Sequence, residues 1–485
     1  MSFIVYDITF LVIFCLFVFI FLYRNRKNVK REMGFAFLYR SQTGIEFINY
    51  VGKNYQKTLK TLRYFIIVIG YLLMGTILFL IGKSLYLYFR YPVEITKIVK
   101  APPIAPLIPY FPQIFNMESF FPPFYFTYFL VAIAIVATVH ELAHGIYLRY
   151  NKVKIKSTGI AFFGPIPGAF VEQDERGMKK VSKINQMSIL GAGVFANVIT
   201  GILFFIIWVG IFYITFIPAG ATFNTYAFDI VNISSISEIG GVYLANPTNQ
   251  VLLSIIKKNN LTNDLILNSD GNSIIFTKIA ADGQNYFITI ETLKEQLQTG
   301  GNKLFLYEDY PAINVGLKGT IVGIDGNEIK TYDELAKIME NYSPNNKINI
   351  TTNFDGKVLE YEIILKENSE NPKKPMIGVG NNLIKTNSAE TFAFFKKPFT
   401  EYKTKGEFYL FLYYLIFWVF LINLLVAIFN MLPVSILDGG RFFYLTIFGI
   451  TGNKKIASKI YSWLGRIILF IFILIMVMWI FGIAH

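Results

Sequence analysis

The run YFTYFLVAIAIVATVHELAHGIYL, residues 125–148, decides the fold class of this chain. Its first fifteen residues carry no charge, and the whole run is long enough to cross the roughly 30 Å hydrocarbon core of a bilayer as an α-helix. Its second part contains His140, Glu141 and His144. Ionisable side chains within a membrane span are energetically costly and usually serve a function. The run therefore predicts a membrane helix that carries a polar site.

Five further apolar runs predict a polytopic α-helical membrane protein. Of the 485 residues, 54% are hydrophobic and only 16% are charged, against about 25% charged in soluble globular domains. This composition excludes a disordered or simply soluble chain, and the single cysteine excludes a disulfide scaffold or a cysteine-rich metal cluster. The six predicted spans are Phe3–Tyr23, Tyr64–Phe89, Tyr125–Leu148, Ser188–Phe216, Phe408–Asn430 and Ile460–Ile483.

The distribution of charge predicts the orientation of these spans. Segments 24–63, 149–185 and 439–466 together carry 23 Lys and Arg against 5 acids, whereas segment 217–407 carries 18 Lys against 22 acids. Because Lys and Arg are enriched in cytoplasmic loops, we expect the three basic segments inside, and segment 217–407 and both termini outside. The net charge of +13 is then explained by topology and contact with anionic lipid. No basic segment contains a nucleic-acid-reading motif, so we expect no nucleic-acid partner.

The sequence HELAH at 140–144 predicts a metal site within the third span. Residues four positions apart share one face of a helix, so His140 and His144 can reach one metal ion. Glu141 beside them can accept a proton from an attacking water. The alternative is a set of polar side chains satisfied by neighbouring helices. Three ionisable groups within one and a half turns of a span need compensation, and a bound cation supplies it.

A catalytic zinc usually takes three protein ligands and keeps one position open, so a third ligand must lie elsewhere. An extended motif with glycine at 147 and histidine at 150 is excluded, since both positions are tyrosine. Asp438 follows the fifth span, in the sequence NMLPVSILDGGR at 430–441. The third and fifth spans both run inward in the predicted topology, so this carboxylate lies on the same side of the membrane as the two histidines.

The segment between the fourth and fifth spans predicts an aqueous α+β domain. Turn residues at Asp325–Asn327 and at Asp355-Gly356 separate a strand, a helix over Tyr332–Tyr342 and a pair of strands. This order resembles a PDZ domain of the circularly permuted bacterial type, over about 303–383. Residues 376–380 are similar to the strand that lines the peptide groove in that family, which implies peptide C-termini as partners. A second, degenerate unit of this type upstream is left open.

Two other segments have alternative interpretations. Segment 101–124 contains 7 of the 18 prolines, which favours a rigid apolar loop at the bilayer interface over a lid that shields an intramembrane site. Segment 157–175 predicts short strands broken by GPIPG. It is interpreted either as a hairpin at the membrane surface, whose edge can pair with an extended peptide, or as a connecting loop.

HELAHG at 140–145 and NMLPVSILDGGR at 430–441 together resemble the two signatures of the site-2 protease family of intramembrane zinc metalloproteases, HExxH and NxxPxxxxDG. A PDZ-like module lies between these signatures in bacterial members of that family, as it is predicted to do here. The sequence GVFAN at 193–197 is similar to the GxxxN element of the family. The resemblance covers residues 125–445.

The resemblance, carried over residue by residue, implies a site with one Zn²⁺ per chain. Glu141 acts in it as base toward the attacking water and then as acid toward the leaving amine. Asn197 and Asn430 are candidates for hydrogen bonds to substrate or to the developing oxyanion; alternatively, they form hydrogen bonds between helices. The implied metal ligands are His140, His144 and Asp438.

The implied function is cleavage of peptide bonds within transmembrane segments of membrane-protein substrates, near the cytoplasmic face of the cell membrane, with the PDZ-like domain extracytoplasmic. The alternative is a PDZ-bearing membrane pseudoprotease or sensor without catalysis. The expected partners are such substrates, the lipid bilayer and peptide C-termini. The predicted domains are 1–124 (two spans, a basic loop and a Pro-rich loop), 125–216 (core helices), 217–407 (extracytoplasmic region), 408–445 (core helix and Asp438 loop) and 446–485 (last span).

Overall fold

The computed structural model describes residues 3–32, 36–105, 107–258, 261, 265–269, 272–369, 371–381 and 395–484. The chain divides into two units, of which the first comprises Met1–Thr215 with Gly406–His485 and the second Phe216–Lys405. The elements of the first unit are α1 (Phe3–Arg24), β1 (Val29–Glu32), β2 (Ala36–Ser41), α2 (Ile45–Asn54), α3 (Gln56–Arg90), α4 (Pro92–Ile98), α5 (Phe111–Ile114), α6 (Phe126–Tyr150), β3 (Ile155–Phe163), β4 (Ile166–Gln173), α7 (Glu175–Lys180) and α8 (Lys183–Thr215), then α13 (Glu407–Asn430), α14 (Asp438–Thr451) and α15 (Lys454–Ala484).

Within the described residues, six helices of the first unit are long and apolar enough to cross a membrane: α1, α3, α6, α8, α13 and α15. Each contains nearly the whole of one span predicted from the sequence, so the predicted helices are present in the predicted order. α13 ends at Asn430, three residues before Pro433, which cannot continue a helix. The chain then turns through seven residues before α14 begins at Asp438.

Helix α6, which carries the predicted metal site, is held at both ends. The buried Asp7 carboxylate of α1 accepts hydrogen bonds from the backbone N–H groups of Phe126 and Thr127, at 2.7 and 2.9 Å. These are two of the N–H groups that have no partner within the helix. At the other end, the Tyr147 hydroxyl donates to the Leu59 carbonyl of α3 at 3.0 Å. The position of α6 is therefore fixed by hydrogen bonds to α1 at one end and to α3 at the other.

Strands β1 to β4 form one antiparallel sheet in the order β1-β2-β3-β4. β3 and β4 form a hairpin around Gly164, whose φ is +64°. β2 pairs with β3 from Ala36↔Phe163 to Ser41↔Thr158. The sequence predicts the strands of the hairpin, but it predicts segment 24–63 only as a basic loop. Half of the sheet and helix α2 come from that segment. β4 is left as an edge strand.

The second unit contains two larger antiparallel sheets, with strand orders β7-β13-β12-β11-β8-β9 and β17-β16-β14-β5-β21, and two strand pairs, β18-β19 and β20-β6. β10 pairs with β11, and β15 with β14. Its elements are β5 (Phe216–Ala221), β6 (Thr225–Tyr226), β7 (Phe228–Asn232), a 3₁₀ turn (Ile233–Ser235), β8 (Ile236–Ile239), β9 (Val242–Tyr243), α9 (Asn249–Lys257), β10 (Leu265–Ser269), β11 (Asn272–Ala281), β12 (Gln284–Ile288), α10 (Ile290–Gln298), β13 (Lys303–Glu308), α11 (Pro311–Asn314), β14 (Thr320–Ile324), β15 (Asn327–Glu328), α12 (Tyr332–Met339), β16 (Lys347–Phe354), β17 (Lys357–Ile364), β18 (Lys366–Glu367), β19 (Pro375–Met376), β20 (Val379–Gly380) and β21 (Thr400–Thr404).

The elements predicted for the PDZ-like segment are present in this order. Asp325 and Gly326 have φ values of +46° and +80°, as the two central residues of a tight hairpin turn require. α12 follows, capped by the Thr331 hydroxyl. Residues 376–380, predicted as the strand that lines a peptide groove, do not form one continuous strand: residue 376 ends β19, and 379–380 form β20, which pairs with β6 of the same chain. One edge of that strand is therefore already occupied.

Candidate metal centre

Helix α6 places His140 and His144 one turn apart on the same face. The two Nε2 atoms lie 2.9 Å apart, and the rings are nearly perpendicular, at 77°. Only 8% of the surface of His140 is exposed. Two imidazole nitrogens that point at the same position, within a buried helix face, form one half of a metal site.

The third group comes from a remote part of the chain, the first residue of α14. The Asp438 Oδ2 atom lies 3.2 Å from His140 Nε2 and 3.3 Å from His144 Nε2. The two following glycines make this approach possible. A Cβ atom at Gly439 would lie 2.3 Å from the Met431 carbonyl, and one at Gly440 would lie 2.1 Å from the Val434 carbonyl. The loop after α13 therefore folds directly onto the first turn of α14.

The other ring nitrogens of the two histidines are also engaged. His144 Nδ1 donates to the Ile189 carbonyl at 2.7 Å, which leaves the Nε2 lone pair free for a metal. His140 Nδ1 lies 3.2 Å from the side-chain amide of Asn197, which is fully buried. The Asn197 Oδ1 atom has no hydrogen-bond partner in the described part of the chain. A 180° turn of this amide brings Oδ1 to accept a hydrogen from Nδ1, and His140 Nε2 is then free as well.

Gly193 of α8, the first residue of the GVFAN element, permits close packing against α6, and the structure shows that the groups packed against it are the two imidazoles. A Cβ atom there would lie 2.5 Å from His144 Nε2 and 2.6 Å from His140 Nε2. Because glycine carries only a hydrogen atom in that place, both imidazoles can lie directly against α8. The sequence contains a signal for this contact, since Gly193 and Asn197 are four residues apart and thus share the helix face toward α6.

Two of the three remaining predicted site residues border a cavity of about 320 Å³. Glu141 and Asn430 line it together with the two histidines and Asp438. Asn197 is placed beside His140, as a partner of its ring. The roles predicted for the two asparagines at a substrate or oxyanion stay predictions. The structure thus brings together all six residues named from the sequence.

Glu141 also contacts the sheet formed by β1 to β4. Its Oε2 atom accepts a hydrogen bond from the backbone N–H of Val171 in β4, at 2.9 Å. Because alternate residues of a strand direct their N–H groups to opposite edges, the N–H groups of Val171 and Ala169 both point to the unpaired edge of β4. The edge strand and the carboxylate therefore face the same space beside the two histidines.

A charged cluster fixes the neighbouring part of the sheet. Glu172 accepts hydrogen bonds from Arg40 Nε and from the Ser157 hydroxyl, each at 2.9 Å. The hydrogen bonds from Arg40 and Ser157 hold the pKa of the Glu172 carboxyl below its usual value, and the charges of Arg40 and Lys156 add to this effect. Arg40 belongs to β2, so this ion pair connects the N-terminal strands to the strand beside the site.

The residues present fit a zinc ion. The ligand atoms of His140, His144 and Asp438 all lie within 4.8 Å of one another. Two imidazoles and one carboxylate are the donor types of catalytic zinc sites. Hydrogen bonds to the outer nitrogens of histidine ligands are a regular feature of such sites, and Ile189 and Asn197 are in position to supply them. At position 193, any side chain larger than that of glycine would collide with the two imidazoles.

Six candidate spans and a His-His-Asp donor set define the class of this chain: a multi-pass membrane protein with the ligand types of a metallohydrolase. It belongs to peptidase family M50, whose family model matches residues 128–475, nearly three quarters of the chain. This is the site-2 protease family, a zinc-dependent family of membrane metalloproteases.

One similar protein is an uncharacterized protein of Methanocaldococcus jannaschii, 41% identical over 71 residues. That match covers 14% of this chain and 19% of the relative. The similarity is therefore limited to these 71 residues and gives no information about substrates or partners.

Proposed function

We propose that this protein is an intramembrane zinc protease that hydrolyses peptide bonds within the transmembrane segments of other membrane proteins, in regulated intramembrane proteolysis. The single observation that carries the proposal is the convergence of His140, His144 and Asp438 next to Glu141, with both histidines within a helix long enough to span a membrane. The family membership supports the same conclusion.

The proposed roles follow from the positions of the side chains. His140, His144 and Asp438 bind one Zn²⁺, which supplies Lewis acidity toward a carbonyl and toward water. Glu141 accepts the proton of the attacking water and passes it to the nitrogen of the leaving amine. Asn197 holds the ring of His140. Asn430, which lines the cavity, is the candidate for a hydrogen bond to the substrate backbone or the developing oxyanion.

The unpaired edge of β4 is the proposed holding site for the substrate. A helical substrate hides its carbonyls in internal hydrogen bonds and must unwind before it can be cleaved. An unwound segment can pair with β4 as an added strand, which places it beside Glu141. Because Val171 N–H now bonds to Glu141, an added strand competes for this amide and frees the carboxylate for proton transfer.

For the second unit we propose an extracytoplasmic position and a PDZ-like fold over about 303–383. We favour a size gate, which admits substrates already trimmed of their outer domains, over a docking site for peptide C-termini, since β6 already pairs with β20. Replacing residues 223–398 by a short linker tests this role, because it retains β5 and β21, whose pairing joins the two ends. We expect cleavage of bulky substrates to increase; an unchanged substrate range contradicts the gate.

The main experiment combines zinc analysis with cleavage of a model transmembrane peptide. We expect about one zinc per chain in the native protein and in Glu141→Gln, and depleted zinc in Asp438→Ala, with cleavage by the native protein alone. Glu46→Gln, which changes an exposed glutamate of α2, is the matched control and should retain both properties.

The same experiment separates the proposal from a non-catalytic sensor. Full cleavage by Glu141→Gln excludes Glu141 as the base. A native protein that binds zinc but cleaves no transmembrane peptide favours the pseudoprotease or sensor. Zinc retained in Asp438→Ala contradicts the assigned ligand set.

A further inference from the structure

A second cavity, of about 550 Å³, lies at the junction of α14 and α15. Lys455, Lys459, Ser462 and Arg466 follow one another at spacings of four, three and four residues, so they form one face of α15. All of them line this cavity, and so does Tyr444 of α14. The cavity is separate from the one that contains His140 and Asp438.

The charge around this cavity is positive and unbalanced. Lys454 also lines it, which brings the number of cations to four. Segment 439–466 contains no Asp or Glu. In the part of the chain that the structure describes, none of these four cations forms an ion pair with a carboxylate. Four like charges around one cavity repel each other, so an anion in the cavity relieves an electrostatic cost.

The position of the cavity along α15 indicates which anion. The cations occupy the first thirteen residues of a 31-residue membrane helix. Immediately beyond Arg466, the exposed side chains are apolar, among them Ile467, Leu469 and Phe470. Trp463 lines the cavity and is 56% exposed, and exposed tryptophans are enriched at the level of lipid head groups. An anion that binds here therefore lies where a lipid places its head group, with its chains along the apolar face.

The donor types favour a phosphate ester. Arg466 offers a planar fork that matches phosphate oxygens, and the lysines offer point charges. The hydroxyls of Ser458 and Ser462 also line the cavity and can donate to the same oxygens. The Asn453 side chain caps the N–H groups of Lys455 and Ile456 at the start of α15, and the dipole of this helix adds positive potential at the same end.

We propose that this cavity binds the head group of an acidic phospholipid. The lipid contacts α14 through Tyr444 and α15 through its cations, and so connects the helix that begins with Asp438 to the last span. This inference does not depend on the proposed proteolytic activity, because binding is measured directly.

The test uses the purified full-length protein and native mass spectrometry after exchange into detergent with equal amounts of phosphatidylglycerol and phosphatidylcholine. We expect the acidic lipid to be retained preferentially. Inorganic phosphate and glycerol phosphate, added at the same concentration, should not displace it. Equal retention of the two lipids overturns the proposal, and displacement by free phosphate identifies a site for a soluble anion instead.

Variants locate the site. Each cation near a membrane surface changes affinity for acidic lipid about fivefold, so Lys455→Gln/Lys459→Gln/Arg466→Gln should weaken retention about a hundredfold. The control Lys53→Gln/Lys57→Gln/Lys60→Gln removes the same charge from α2 and α3 and should bind as the native protein does. The charge-retaining set Lys455→Arg/Lys459→Arg/Arg466→Lys should restore binding. Unchanged lipid retention in the first variant, or an equal loss of retention in the control, refutes the assignment. If the first variant does not fold, the comparison of the two lipids and the competition by free phosphate, both measured on the unaltered protein, decide.

Discussion

Replacing Gly193 by alanine tests whether the two imidazoles form the metal site. The added Cβ would lie 2.5 Å from His144 Nε2 and 2.6 Å from His140 Nε2, whereas nonbonded heavy atoms rest at about 3.5 Å. Both rings must therefore move by about 1 Å, or α8 must move away from α6. Zn–N bonds are about 2.0–2.1 Å long, and a site tolerates deviations of about 0.2 Å. A shift of this size removes at least one ligand.

The assay is zinc content by metal analysis, zinc affinity by competition with a chelator, and cleavage of a transmembrane peptide. Loss of an outer partner of a ligand already costs about 10–100-fold in metal affinity, so we expect Gly193→Ala to weaken zinc binding at least about 100-fold and to abolish cleavage. Gly201→Ala on the same helix is the matched control. Its Cβ would meet its nearest neighbour at 3.6 Å, an ordinary contact, so zinc and cleavage should be unchanged.

A second control separates metal loss from general destabilisation. A Cβ at Gly191 would lie 2.8 Å from the Ile66 side chain, away from the imidazoles. Gly191→Ala should lower the melting temperature but keep its zinc. If Gly193→Ala retains one tight zinc per chain and native cleavage, the two imidazoles do not bind the metal while packed against position 193.

Three further predictions concern the support of the site. Asp7→Asn should lower the free energy of unfolding by about 1.5–3 kcal/mol, the worth of hydrogen bonds to a charged group, as measured by thermal unfolding in detergent; an unchanged melting temperature contradicts the cap on α6. Asn197→Ala should reduce zinc affinity about 10–100-fold through His140, while Asn197→Asp, which keeps an acceptor for the ring N–H, should recover part of it; equal affinity in both variants argues against this role. The pKa of Glu172 is lowered in the folded state, so its contribution to stability is present above the unfolded-state pKa and declines as the pH falls through the folded-state pKa. Arg40→Gln should flatten that decline in unfolding curves measured at several pH values. Identical curves for the native protein and the variant would exclude the Arg40–Glu172 ion pair as the source of the decline.

The spans and the ligand types were predictable because they depend on local sequence. A run of about 20 apolar residues has few alternatives to a membrane helix, and the i, i+4 spacing of His140 and His144 places them together in any helix. Asp438 could be placed on the same side of the membrane as the two histidines because the third and fifth spans are predicted to run in the same direction. The tight turns at Asp325-Gly326 and Asp355-Gly356 were also local signals.

The N-terminal strands were not predictable in the same way. The sequences VKRE and AFLYRS of β1 and β2 are short, charged and without a clear apolar alternation. β2 becomes a strand because β3 offers a partner more than a hundred residues away, and β1 then pairs with β2. β-propensity depends strongly on such context, and the Arg40–Glu172 pair that joins β2 to β4 becomes visible only in three dimensions.

The amino-acid sequence alone determined six runs that are long and apolar enough to cross a membrane, and it named two histidines, one glutamate and a remote aspartate as candidates for a metal site. Hydrophobic length and helical spacing act over a few turns and need no distant partner. Only the tertiary structure decided what surrounds these groups: Gly193 against both imidazoles, Asn197 and Ile189 on their outer nitrogens, and the β4 edge beside Glu141. Those contacts depend on how closely separate helices and strands approach each other, and close approach is a property of packing.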